Sequence, residues 1–150
     1  MRLIRILAVF LLISSLSSYG QREAQTNIEF LRSQVQRGNV TKVEILRIPD
    51  DVMTRTTVTQ DWMRKGSYYT VTFTQDIGTI FSPLLSDSST KNNSQQSNLR
   101  WGVLFFDSNG REIGSIFVDH FGEKGYVDGQ AVAFGLNLAK PLRHIIRDLR

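Results

Sequence analysis

The sequence predicts an α+β domain: an antiparallel sheet of about four to five strands with N- and C-terminal helices packed on it. Three observations carry this. Stretches of strand alternation follow one another across short turns, and such connections favour antiparallel neighbours. Amphipathic segments of helical period stand near both ends. The 150 residues, 41% apolar and 21% charged with no cysteine, describe one ordinary soluble domain. That composition excludes collagen-like, coiled-coil, disulfide-framework and multispan membrane classes.

Arg2 and Arg5 precede an unbroken apolar run from Ile6 to Ile13, and Ser14 to Gly20 are mostly small residues. A charged start, a short apolar stretch and a small-residue zone are the order of a secretory signal. Residues 1–20 are therefore expected to be a signal peptide cut just before Gln21, with 21–150 forming a single domain. The apolar run is well under half of the roughly 20 residues that cross a bilayer, so no permanent membrane anchor is expected after cleavage. Without cysteine, such a chain is held by its core alone, and export to the bacterial periplasm or the exterior fits best.

Thr26-Asn27-Ile28-Glu29 has capping-box spacing, Ile28, Leu31 and Val35 share one face, and Gly38 offers a left-handed stop. A helix over Asn27–Arg37 follows. Val40–Ile48 alternates as a strand that Pro49-Asp50-Asp51 ends, and Thr54–Val58 suits a short edge strand. Thr59 caps a brief helix through Trp62 and Met63. Ser67–Gln75 reads as a strand whose threonine face is wet. Ser82-Pro83 opens a single helical turn carrying Leu84 and Leu85. Residues 86–98 hold no apolar side chain before Leu99, which predicts a disordered polar loop.

Leu99–Asp107 and Arg111–Asp119 flank Ser108-Asn109-Gly110, the composition of a three-residue hairpin loop. Counting outward from it sets Phe105 opposite Ile113, Val103 opposite Ser115 and Trp101 opposite Phe117. Gly102 and Gly114 then leave room for a helix to approach. Tyr126–Phe134 supplies one further strand. Leu142, Ile145, Ile146 and Leu149 stripe a last helix from near Lys140, with Arg143, Arg147 and Arg150 as a solvated basic row.

The chain carries 18 basic and 14 acidic groups. Loss of Arg2 and Arg5 with the leader leaves 16 against 14, too even for a dedicated nucleic-acid binder. With only His120 and His144 and no thiol, cysteine chemistry and thiolate or multi-histidine zinc sites are excluded, and no metal or cofactor is expected. No Walker loop or dinucleotide fingerprint occurs. Ser88-Ser89-Thr90-Lys91 has serine-x-x-lysine spacing but lies in the polar loop. Gly122-Glu123-Lys124-Gly125 lacks the flanking helices of a nucleic-acid clamp. Asp107-Ser108-Asn109-Gly110 lacks the late glutamate of a calcium loop.

What remains is the turn after the second hairpin strand. Asp119, His120, Phe121, Glu123, Tyr126 and Asp128 gather charge, aromatic surface and glycine-permitted backbone shapes, a combination suited to contact with a partner. No catalytic residue is assigned. The expectation is an exported, non-catalytic interaction protein of inhibitor, immunity or adaptor type that binds a protein partner. The alternatives are a small envelope hydrolase using Asp119, His120 and Glu123, and a module that holds a small ligand or cell-wall fragment on exposed tyrosines.

Overall fold

The computed structural model describes residues 27–86, 90–92 and 98–147. The expected signal peptide, Thr26, Leu149 and Arg150 lie outside the described residues. The order is α1 (27–36), β1 (Lys42–Arg47), α2 (Gln60–Gly66), β2 (Tyr69–Phe73), α3 (Ile77–Ser86), β3 (Thr90–Asn92), β4 (Leu99–Phe106), β5 (Glu112–Asp119), β6 (Lys124–Val127), β7 (Gln130–Phe134) and α4 (Ala139–Arg147). The strands form one sheet ordered β2-β1-β4-β5-β6-β7-β3, with every neighbouring pair antiparallel. The α+β class and the terminal helices stand as expected. Among the described residues the sheet has seven strands, not four to five.

Two apolar layers flank the sheet. In the larger, Ile28, Leu31 and Val35 of α1, Phe81, Leu84 and Leu85 of α3, and Leu142 of α4 pack on Ile45, Val103, Phe105, Ile116 and Val132. Phe81 stands edge-on to both Phe73 and Phe105, with centroids at 5.3 and 6.1 Å, which fastens α3 across β2 and β4. In the smaller layer, Met63 of α2 and Ile48 and Val58 of the preceding segment cover Leu46, Leu99, Leu104 and Phe117. Both central strands are therefore buried on both faces.

Helix α1 stops as its glycine dictates. Gly38 has φ +73°, its N–H donates to Val35 O and that of Asn39 to Gln34 O, the paired bonds of a Schellman stop. Thr59 caps α2 by accepting from the Trp62 N–H. Thr54–Val58, expected as an edge strand, is irregular. Val58 is held there by the Asn98 side chain, which accepts its N–H, and by its own carbonyl, which accepts from Leu99 N–H. Helix α3 begins five residues before Ser82, because Ile77, Ile80, Phe81, Leu84 and Leu85 already make a helical stripe. Pro83 lies inside it on the exposed side, where a lost backbone bond meets water. Within the expected disordered loop, residues 90–92 form β3 on the edge of β7; 87–89 and 93–97 lie outside the described residues.

The β4–β5 hairpin forms, but its register differs from expectation by one residue. The loop itself behaves: Asp107 N–H donates to Arg111 O, Gly110 has φ +74°, and Phe106 lies opposite Glu112. One step further a bulge admits an extra residue on β5. Phe105 then meets Gly114, Val103 meets Ile116, and Trp101 meets Val118 instead of Phe117. Trp101 joins the larger layer and Phe117 the smaller, so the expected Trp101–Phe117 pair does not exist. Turn chemistry fixes only the first pairs, whereas burial on both faces fixes the rest. An inserted residue reverses the faces of the side chains after it until a second irregularity, between Trp101 and Leu99, restores the expected pairing of Leu99 with Asp119. The slip also turns Gly114 toward α1, where the Leu31 side chain fills the space that a Cβ would need.

Tyr126–Phe134 is two strands because Asp128-Gly129 turns the chain. Both residues have positive φ, +46° and +83°, and Val127 pairs with Gln130 across a two-residue turn. An Asp-Gly pair between alternating apolar residues is itself a strong hairpin signal. Asp128 is the exposed tip of this turn, yet its Oδ1 reaches inward to accept the N–H of buried Ser115 at 2.6 Å. Partial desolvation pushes the Asp128 carboxyl above the ordinary carboxylate range, against the lowering pull of the Ser115 N–H and hydroxyl and of Arg64.

A group whose folded pKa is raised binds its proton more readily when folded, so its contribution to stability is greatest in acid and is lost as pH rises through the folded pKa. Asp128→Asn keeps the acceptor and the positive φ while removing the charge. It is expected to stabilise the protein at pH 7, with the gain vanishing below about pH 4. Asp128→Ala is expected to cost about 2 kcal/mol from strain and from the orphaned Ser115 amide. Urea midpoints at pH 7 and pH 3.5 check both.

Candidate functional site at one end of the sheet

The end of the sheet where β1 and β5 finish and β4 and β6 begin collects charged and aromatic groups from four distant stretches of chain. Asp119 closes β5, and its Oδ1 accepts the Glu123 N–H at 3.1 Å and the Lys124 N–H at 3.5 Å. Gly122, at φ +72°, donates to Asp119 O and accepts from Leu138 N–H, while Glu123 O accepts from Phe134 N–H at 2.7 Å. The turn is thus clamped to the start of α4 and the end of β7. His120 and Phe121 project from it.

His120 Nδ1 lies 2.7 Å from Asp50 Oδ1, across 70 residues of sequence. Arg143 of α4 donates to His120 O at 3.1 Å and stands 3.7 Å from Asp50 Oδ2. Arg100 donates to Val52 O at 2.9 Å, and Arg100 O accepts from Ile48 N–H, which holds the segment that carries Asp50 against β4. Beneath them Trp101 is fully buried, with the Arg47 guanidinium 4.8 Å and that of Arg143 6.0 Å from its ring centroid. Phe121 stands edge-on to His120 with centroids 4.7 Å apart, and remains 60% exposed. An open basin of about 420 Å³ lies here, lined by Asp50, Asn98, Arg100, Asp119, His120 and Phe121.

Of the six residues expected in the site, Asp119, His120, Phe121 and Glu123 share this turn. The other two do not join them. Tyr126 faces the smaller apolar layer beside Phe117, and Asp128 is at the opposite end of β6, tied to Ser115. Asp119 does not orient His120, since its carboxylate is occupied by backbone amides; Asp50 takes that position. Arg143, expected on a solvated row, instead folds back over Trp101 toward Asp50. Arg147 behaves differently, donating toward His144 Nδ1 at 3.1 Å; Arg150 lies outside the described residues.

Sequence reasoning missed Asp50, Asn98, Arg100 and Arg143 as site residues. Only Pro49-Asp50-Asp51 carried a signal, an acidic turn at a strand end, and it reads equally well as a strand stop. Chemically the site offers an imidazole fixed by a carboxylate, three guanidinium groups and one exposed aromatic ring. Among the described residues the basin lining contains no serine, threonine or cysteine. Among the described residues no three His, Cys, Asp or Glu side chains converge as metal ligands do, and no helix is long and apolar enough to cross a membrane. No protein-family model, curated protein or solved structure matches this chain.

Proposed function

We propose that this chain is an exported interaction protein that binds a protein partner through the His120–Phe121 end of its sheet. The observation that carries the reading is Phe121: a large aromatic ring left 60% exposed while its neighbour His120 is fixed by Asp50 and its turn by β7 and α4. Exposed aromatic groups held rigid before binding are the usual anchors of contact hot spots, because little side-chain entropy remains to be lost. Around it Asp50, Asp119, Arg100 and Arg143 supply both signs of charge, a rim that selects a partner by complementarity more than by net field. The apolar leader of residues 6–13 supports export, and the periplasm or the exterior is the compartment in which the partner is sought.

Phe121→Ala is expected to weaken binding to the captured partner by about 2 kcal/mol or more, and His120→Ala by about 1 kcal/mol. Phe30→Ala, on the exposed side of α1, is expected to leave affinity unchanged. Calorimetric titration of the three variants against the partner checks the ranking. Equal effects from Phe30 and Phe121 would overturn the assignment of the surface.

A second reading is favoured by the 2.7 Å His120–Asp50 contact, which is the orienting half of a general-base arrangement. In that reading His120 deprotonates a water and no side-chain nucleophile is used. Loss of turnover on His120→Ala with partner affinity retained separates it from the first.

A further inference from the structure

Among the described residues the sheet ends on one side at β2, which pairs there with β1 alone. Its outer backbone edge is Tyr69-Thr-Val-Thr-Phe73, without a charge or a proline, and Tyr69, Thr70 and Thr72 are exposed. Edge strands are normally guarded by lysine, proline, a bulge or shortness, since an open ladder recruits another strand. The opposite edge of this sheet obeys that rule: β3 has three residues and contains Lys91. Edge β2 lacks every such guard, and β-branched and aromatic residues fill it.

We propose that β2 is a dimerisation edge, along which two copies of this chain pair antiparallel about a two-fold axis at Val71. The strand is self-complementary about that residue. Tyr69 of one copy lies opposite Phe73 of the other, and Thr70 opposite Thr72, both favourable cross-strand pairs. Such a contact is isologous and closed, so it yields a dimer and not a fibre. Charge complementarity selects a second copy over an unrelated strand. Lys65 at the end of α2 and Asp76 just before α3 bracket β2, both exposed and without an ion-pair partner among the described residues. The two-fold axis brings Lys65 of each copy to the end of the strand where Asp76 of the other stands. A five-residue edge is a small interface, and the association is accordingly of the weak class.

The test is sedimentation of the purified protein across loadings from about 1 to about 300 µM, the range in which a small interface assembles. The average mass is expected to rise toward twice the monomer value. Thr70→Lys with Thr72→Lys sets like charges directly opposite and is expected to weaken the dimer at least tenfold, as is Thr70→Glu with Thr72→Glu. An equimolar mixture of the two double variants is expected to restore dimers. Should either double variant fail to show wild-type circular dichroism, Lys65→Glu is expected to weaken the dimer and Lys65→Glu with Asp76→Lys to recover it. A wild-type protein that stays monomeric throughout, variants that dimerise as the wild type does, or charge pairs that fail to restore association each overturn the proposal.

Discussion

Gly122→Ala is expected to lower stability by about 3 kcal/mol or more, the sum of a backbone term and a steric one. Gly122 has φ +72°, a conformation costing a residue with a Cβ about 1–2 kcal/mol. The added Cβ would also overlap the backbone of Leu138 and Ala139, where α4 begins. Backbone cannot rotate aside as a side chain can, so either the turn or the start of α4 moves. Gly110→Ala separates the two contributions, because Gly110 has nearly the same φ, +74°, and nothing near its missing Cβ. That variant is expected to cost about 1 kcal/mol, from the left-handed conformation alone. Urea denaturation gives the difference, and amide exchange in α4 is expected to speed up only in the Gly122 variant. A total stability of about 5–15 kcal/mol makes the larger loss visible without abolishing folding.

Trp101→Ala carries the second large effect, about 3–5 kcal/mol, since the side chain is fully buried and its removal leaves a cavity between the sheet and α4. Among the described residues Trp101 Nε1 has no hydrogen-bond partner, nor does the Nε of Arg47, which stacks on the same ring. An unpaired buried donor costs about 1–3 kcal/mol. Trp101→Phe therefore removes a penalty along with some apolar area and is expected to cost well under half as much as the alanine variant. Heat or urea denaturation of the pair measures the ratio. The site is coupled to this residue through Arg143, which lies over the ring and reaches His120 O and Asp50. Trp101→Ala thus loosens the support of the His120 turn, and Trp101→Phe keeps a ring for Arg143 to cover.

The sequence made local features legible and left the site's assembly hidden, for a physical reason that particular residues show. Gly38, Thr59 and the Ser108-Asn109-Gly110 loop act through bonds within a few positions of themselves, so their spacing announced two helix ends and a turn. The α3 stripe and the Asp128-Gly129 turn were equally local and were overlooked: Pro83 drew attention to one turn of helix, and apolar residues on both sides of Asp128-Gly129-Gln130 were read as one strand. The bulge on β5 has no local signal, because it answers to Leu31 and to the two layers that claim Trp101 and Phe117. His120 and Phe121 were visible as an aromatic pair among glycines and charges. Asp50, Arg100 and Arg143 were not, because pairing of β1 with β4 and docking of α4 bring them in from 70, 20 and 23 residues away.

The claim that the clamped turn presents Phe121 to a partner is tested most directly by site-specific photo-cross-linking in living cells that express the protein. A photoreactive side chain replaces Phe121 in one strain, Phe30 in a second and Leu136 in a third, each an exposed apolar position. The account predicts one discrete adduct from position 121, absent without irradiation and reduced by excess wild-type protein, and no adduct from position 30 or 136. No adduct from position 121, or the same adduct from all three, would contradict it.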